Sequence, residues 1–255
     1  MNEELEQKIL VIDRLKAKVD QFRPLPKHSL KSLRDKLALE STYHSNGIEG
    51  NTLTLRETKV VLEGITVGGK SIHEHLEARN HSDAIVYLED IVSSGEPVDQ
   101  WQIKSLHALV LKGIDDAEAG KYRSENVAIS GASTTPPGFL HLDAEMTQLI
   151  DWYGQASDMH PISRASELHT RFVEIHPFID GNGRTGRLLM NFDLMKAGYP
   201  PAILLKEDRL RYYEALDEAC VTRDYTQITL LVADACQRSL DAYLEILEPS
   251  PGLSS

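Results

Sequence analysis

Apolar residues in this chain recur every three to four positions almost from end to end, as at Leu5, Ile9, Ile12 and Leu15, and again at Ile228, Leu231, Ala233, Ala235 and Leu240. That spacing lines one face of an α-helix and predicts an all-α protein. Start signals agree. Thr54 and Glu57, Ser71 and Glu74, and Asp99 and Gln102 each set a short oxygen acceptor three residues before Glu or Gln, the capping-box arrangement or its close relative. Breaks at Arg23-Pro-Leu-Pro26, Val67-Gly-Gly69, Ser93-Ser-Gly95 and Tyr199-Pro-Pro201 divide the chain into about eight helices. With 255 residues, 41% of them hydrophobic, there is enough apolar material for one globular core, which excludes a disordered or fibrous chain.

Charge and leader signals narrow the function classes. Subtracting 27 basic from 39 acidic residues leaves −12, the wrong sign for a chain that grips phosphate backbones, so no nucleic-acid partner is expected. No run approaches the roughly 20 apolar residues of a membrane span. Met1 is followed by Asn2-Glu3-Glu4 rather than a basic and then apolar leader, so the expected address is the cytoplasm, with no membrane partner. Cys220 and Cys236 read as core or near-core thiols. His73 and His75 lie two apart and point to nearly opposite faces of a helix, which argues against a zinc cluster with His81.

One stretch breaks the helical rhythm. Residues 122–140 read YRSENVAISGASTTPPGFL, with β-branched Val127 and Ile129 followed by Gly, Ser, Thr and a Pro-Pro pair. A short exposed β-hairpin over Val127, Ala128, Ile129 and Ser130 is the expected form, a plain connecting loop the alternative.

Chemistry concentrates in residues 176–187, HPFIDGNGRTGR, a loop between one helix ending near Ile175 and another running on from Arg184. Gly181 and Gly183 flank Asn182, so successive N–H groups can turn inward as an anion nest at a helix N-terminus. Arg184 and Arg187, three apart, project from nearly one face and suit a diphosphate or triphosphate. Asp180 is a hard carboxylate suited to Mg²⁺ held through phosphate oxygens, and His176 is a base near neutral pH. Each residue singly has a duller reading as a turn or a solvated face. Their density, each with a separate role, is what points to phosphate-group transfer onto a nucleophile.

The stretch resembles the signature of the Fic (filamentation induced by cAMP) family, H-x-F-x-[D/E]-G-N-G-R-x-x-R, at every fixed position. The resemblance extends over roughly residues 40–245 through Gly120-Lys-Tyr-Arg123, Ala197-Gly-Tyr-Pro-Pro201 and Arg211-Tyr-Tyr-Glu-Ala-Leu216. It implies a Fic-type helical bundle with a short β-hairpin flap, and transfer of AMP from Mg-ATP to a hydroxyl side chain (Ser, Thr or Tyr) of a target protein. Under it His176 is the base, Asp180 the metal ligand, and Gly181, Asn182, Gly183 and Arg184 the anion hole. Arg187 meets the γ-phosphate and the helix of Tyr212 and Tyr213 borders the adenine. Cys220 stands where some members carry Asn.

Upstream, Ser45-Asn-Gly-Ile-Glu49-Gly resembles the family's inhibitory motif [S/T]-x-x-x-E-[G/N], so that Glu49 would take the guanidinium of Arg187. The resulting organisation is 1–50 as N-terminal helices including an inhibitory helix from about Ser29 to Ser45, 51–248 as the catalytic core, and 249–255 as a frayed tail. Removal of AMP from a modified protein is the rival activity, a nucleotide-binding regulatory interaction protein the rival from another class, and self-association is left open.

Overall fold

The computed structural model describes residues 3–25 and 27–248. The 249–255 tail lies outside them. Ten α-helices follow one another: α1 (Glu3–Asp20), α2 (Lys27–Ile48), α3 (Leu55–Leu62), α4 (Ile72–Ser93), α5 (Gln100–Leu111), α6 (Leu142–Gln155), α7 (Pro161–Ile175), α8 (Asn182–Lys196), α9 (Arg209–Thr222) and α10 (Thr226–Leu247). The two helices beyond the expected eight arise because short α3 and the α9–α10 pair are set off by turns weaker than Pro-Gly pairs. Arg223, for instance, ends α9 in the left-handed region at φ 62° without a glycine.

The predicted start signals are used. Thr54 and Ser71 each accept from the N–H of a glutamate three residues on, and those glutamates bond back to the cap N–H, while Asp99 caps Gln102. The first two fix the turns that lead from α2 into α3 and from α3 into α4. No helix among the described residues is long and apolar enough to cross a membrane.

Helix α8 runs through the middle. Its residues from Arg184 to Leu194 are buried on every face, which is why it shows no polar stripe. Met190 and Leu194 join an apolar cluster with α7, α9 and α10, to which Ile12, Val19 and Ile48 of α1 and α2 also belong. Leu188, Leu189 and Phe192 join a second cluster with α4, α5, α6 and Phe178. Polar residues inside are matched: Asn191 exchanges two hydrogen bonds with the backbone of Ala202, and Asp193, fully buried, is gripped by both Nε and Nη2 of Arg164 and by the Tyr153 hydroxyl.

The expected β-hairpin is absent, for no strand occurs among the described residues. Residues 121–138 form an irregular loop instead. A two-stranded ribbon with no third strand or helix face to cover it is marginal in water. This segment is held at its ends and once between them: Arg123, 2% exposed, donates to the carbonyls of Glu125, Pro137 and His176, and the carboxylate of Asp217 on α9 accepts from the N–H and hydroxyl of Ser133 at 2.7 and 2.6 Å.

Candidate active site

The loop between α7 and α8 is built by its own side chains. Asn182 folds back so that its Oδ1 accepts from the N–H of Phe178 and its Nδ2 donates to the same residue's carbonyl, at 3.0 and 2.8 Å. Phe178 is fully buried and stacks on the ring of His107 with centroids 3.6 Å apart. Gly181 takes φ 75°, where an L side chain is strained, and a Cβ there would press on Val110 at 3.2 Å. Asp180 accepts from the Gly181 N–H at 2.6 Å, and 60% of its side chain stays exposed at the lip.

His107 has no local motif to announce it. The Gly120 N–H donates to its Nδ1, so the hydrogen sits on Nε2, which donates to the Asp180 carbonyl at 2.9 Å. Burial lowers its pKa to about 4, so the ring is a neutral strut between the 176–187 loop and the start of the 121–138 loop. The available signal is spatial: buried histidine at 0% exposure requires partners on both nitrogens.

His176 ends α7 in the left-handed region, φ 50° and ψ 58°, a conformation costing on the order of 1 kcal/mol. Its N–H bonds the Phe172 carbonyl and its own carbonyl receives Arg123 Nε, which hold that conformation in place. Nδ1 faces the Val173 carbonyl at 3.3 Å and carries the hydrogen, leaving Nε2 free to accept a proton. Burial pushes its pKa below the ordinary value, against the smaller opposing pull of the Val173 bond.

The two arginines are both nearly buried. Arg184 donates to Glu77 on α4 at 3.0 Å and to Asp180 at 3.2 Å, while its Nε is buried with no partner among the described residues. Arg187 donates from Nε to the Ser45 hydroxyl at 3.0 Å and from Nη2 to the Ser45 carbonyl at 2.8 Å and to Glu49 Oε1 at 2.7 Å. Its Nη1 reaches the Tyr212 hydroxyl at 3.4 Å, which also meets His169 at 2.8 Å. Burial is the largest single influence on the Arg187 pKa and would lower it, but the Glu49 carboxylate and the Tyr212 hydroxyl together outweigh it and the net shift is upward. Glu49 Oε1 lies 2.2 Å from where a Cβ on Gly183 would stand, so the carboxylate rests directly over the first turn of α8.

Thus His176, Asp180, Gly181, Asn182, Gly183, Arg184 and Arg187 gather at one end of α8, and Ser45 and Glu49 reach them from the end of α2. Beside them opens a cleft of about 380 Å³, bordered by His176, Glu49, Tyr213, Cys220, Ile129 and Ser130. Tyr212 is only 1% exposed, committed to Arg187 and His169, whereas Tyr213 is 38% exposed at the cleft. Val127 and Ala128 stand outside the cleft lining.

Comparison with known proteins follows the same geometry. The Fic/DOC family profile matches residues 97–194. A Fic domain containing signaling protein from Bacteroides thetaiotaomicron superimposes with a TM-score of 0.86 at 30% identity, over 92% of this chain and 96% of that one. The chain belongs to the Fic family. Fic-1 of C. elegans gives a TM-score of 0.83 at 31% identity, over 94% of this chain and 72% of that one. The protein adenylyltransferase Fic of Nematostella vectensis is 38% identical over 247 residues, which is 94% of this chain and 57% of that protein. This Fic chain spans about half the length of the curated relatives it matches.

Proposed function

We propose that this chain transfers AMP from Mg-ATP to a hydroxyl side chain of a target protein, and that Glu49 holds it inhibited. The observation that carries this reading is the carboxylate of Glu49 lying over the first turn of α8 in the grip of Arg187, at a place made for an anion. Relatives named protein adenylyltransferase support the choice of AMP as the group moved.

In the transfer, the target hydroxyl oxygen bonds the α-phosphorus as the bond from that phosphorus to the bridging oxygen of pyrophosphate breaks. His176 Nε2 takes the hydroxyl proton, and pyrophosphate leaves with the electron pair. Gly181, Asn182, Gly183 and Arg184 hold the α- and β-phosphates, and Arg187, once released, holds the γ-phosphate. The exposed, oxygen-only carboxylate of Asp180 fits Mg²⁺, which when bound would neutralise phosphate charge and orient the leaving group. Tyr213 borders the base, and Val127 to Ser130 pair with the target backbone. Residues 1–50 supply the N-terminal helices, the inhibitory helix among them, and 51–248 the catalytic core.

Removal of AMP from a modified protein is a second reading, favoured by one feature: Glu49 keeps 30% of its side chain accessible and shares a cleft with His176, so it could orient a water. Labelled ATP separates the readings. Glu49→Gly should transfer label from α-labelled but not γ-labelled ATP, roughly tenfold to a hundredfold faster than the parent, the scale of one charge-assisted contact. Label from the γ-phosphate would make the chain a kinase. No rise in transfer, with loss of AMP removal from a modified protein, would favour the second reading.

A further inference from the structure

Glu77, on the first turns of α4, touches both halves of the site. Oε1 accepts from Arg184 Nη1 at 3.0 Å, and Oε2 accepts from Asn51 Nδ2 at 2.9 Å. Its backbone carbonyl also accepts from Asn46 Nδ2 at 3.3 Å. Asn46 and Asn51 close the turn that carries Glu49: the N–H groups of Glu49 and Asn51 both bond the Asn46 carbonyl at 3.0 Å, and Gly50 reverses the chain at φ 103°. The pair with Arg184 is close to dry, with side chains 3% and 14% exposed.

We propose that Glu77 is a positioning residue with two duties, aiming Arg184 into the phosphate loop with one carboxylate oxygen and seating the inhibitory turn through Asn51 with the other. Only a carboxylate can do both. Asn51 cannot turn its amide round, because its Oδ1 already accepts from the Leu53 N–H at 3.0 Å, so Nδ2 must face Glu77. Arg184 has donors alone. A glutamine at 77 has one oxygen for two donors, and one of the two contacts is lost. Asn51 Nδ2 keeps the Glu74 carbonyl at 3.1 Å, so the turn is loosened rather than released when its bond to Glu77 goes.

The inference rests on the reading of this site as an ATP site blocked by Glu49, and the two duties separate by background. In the parent chain, Asn51→Ala should raise transfer from α-labelled ATP about threefold by letting Glu49 leave Arg187 more often. In Glu49→Gly, where no inhibitory carboxylate is left to seat, Asn51→Ala should change nothing further. Glu77→Gln in Glu49→Gly should raise KM for Mg-ATP about tenfold with a smaller change in kcat, because Arg184 loses its partner when the amide nitrogen faces it and keeps only an uncharged, weaker one when the oxygen does. Melting temperatures are read alongside, and Glu77→Asp, which keeps two oxygens but withdraws them by one methylene, reports the same split if Glu77→Gln does not fold. An Asn51→Ala chain as inhibited as the parent, or an unchanged KM for the Glu77 variants in Glu49→Gly, would overturn the inference while leaving the ATP reading intact. Absence of any gain in Glu49→Gly itself would remove that reading instead.

Discussion

His176 is half-buried, with its Nδ1 hydrogen committed to Val173, and both facts decide when it can act as a base. Proton abstraction requires the neutral ring. Since burial lowers the pKa from 6.5, that form prevails at pH 7, and transfer should be on its plateau there, falling only as pH drops through the lowered value. The acid limb of kcat/KM in Glu49→Gly is therefore expected below pH 6.5. His176→Ala should cost roughly a hundredfold or more in transfer with Mg-ATP affinity nearly unchanged, since the phosphates are held by other residues. An acid limb above pH 6.5, or an equal loss of nucleotide affinity, would assign the ring to binding. The residues of the 176–187 stretch were legible because each lies at a short fixed distance from the next. Glu77 and His107 were not. They meet the loop from 107 and 73 residues away in sequence, and one glutamate among many carries no mark of the arginine it will hold.

At the scale of elements, the 121–138 loop is where local sequence misled. Val127 and Ile129 favour extended backbone, but the alternation is too short to bury a face, and the segment's fixed contacts are side-chain ones, Arg123 to the Glu125 and Pro137 carbonyls and Asp217 to Ser133. The same irregularity leaves the N–H groups of Val127, Ala128 and Ile129 without acceptors among the described residues. Under the proposed function those groups would bond an extended segment of the target. Ala128→Pro removes one of them and no bond of the folded chain, so it should impair modification of a protein target severalfold or more, with Mg-ATP binding and melting temperature almost unaltered. Undiminished modification would make the segment an ordinary connection. The helices, by contrast, were readable wherever a cap stood at the start of a periodic run, as at Thr54, Ser71 and Asp99.

For the whole molecule, burial of histidine sets the response to acid. His81 and His169 have pKa values lowered to about 3 and His107 to about 4, in each case chiefly by burial. An unfolded histidine titrates near 6.5, so below that pH the unfolded chain binds protons that the folded chain refuses. Their contribution is intact above about pH 6.5 and is lost progressively as pH falls toward 3 to 4, by at most about 2 kcal/mol per histidine at pH 5. The denaturation midpoint should accordingly be flat from pH 8 to 7 and drop between 6.5 and 5. His81→Gln or His169→Gln should flatten part of that drop, and a midpoint constant down to pH 5 would contradict it.

Helix α8, enclosed on every side, has a further consequence. The arginines and the Gly-rich turn are anchored to the most enclosed helix of the fold, while Glu49, Asn51 and the 121–138 loop sit at its margin. Opening the site therefore asks first for motion at the periphery rather than in the middle of α8. Under the proposed function, activity gained by removing Glu49 therefore carries a local cost, a buried Arg187 left without its carboxylate, and spares the packing around α8.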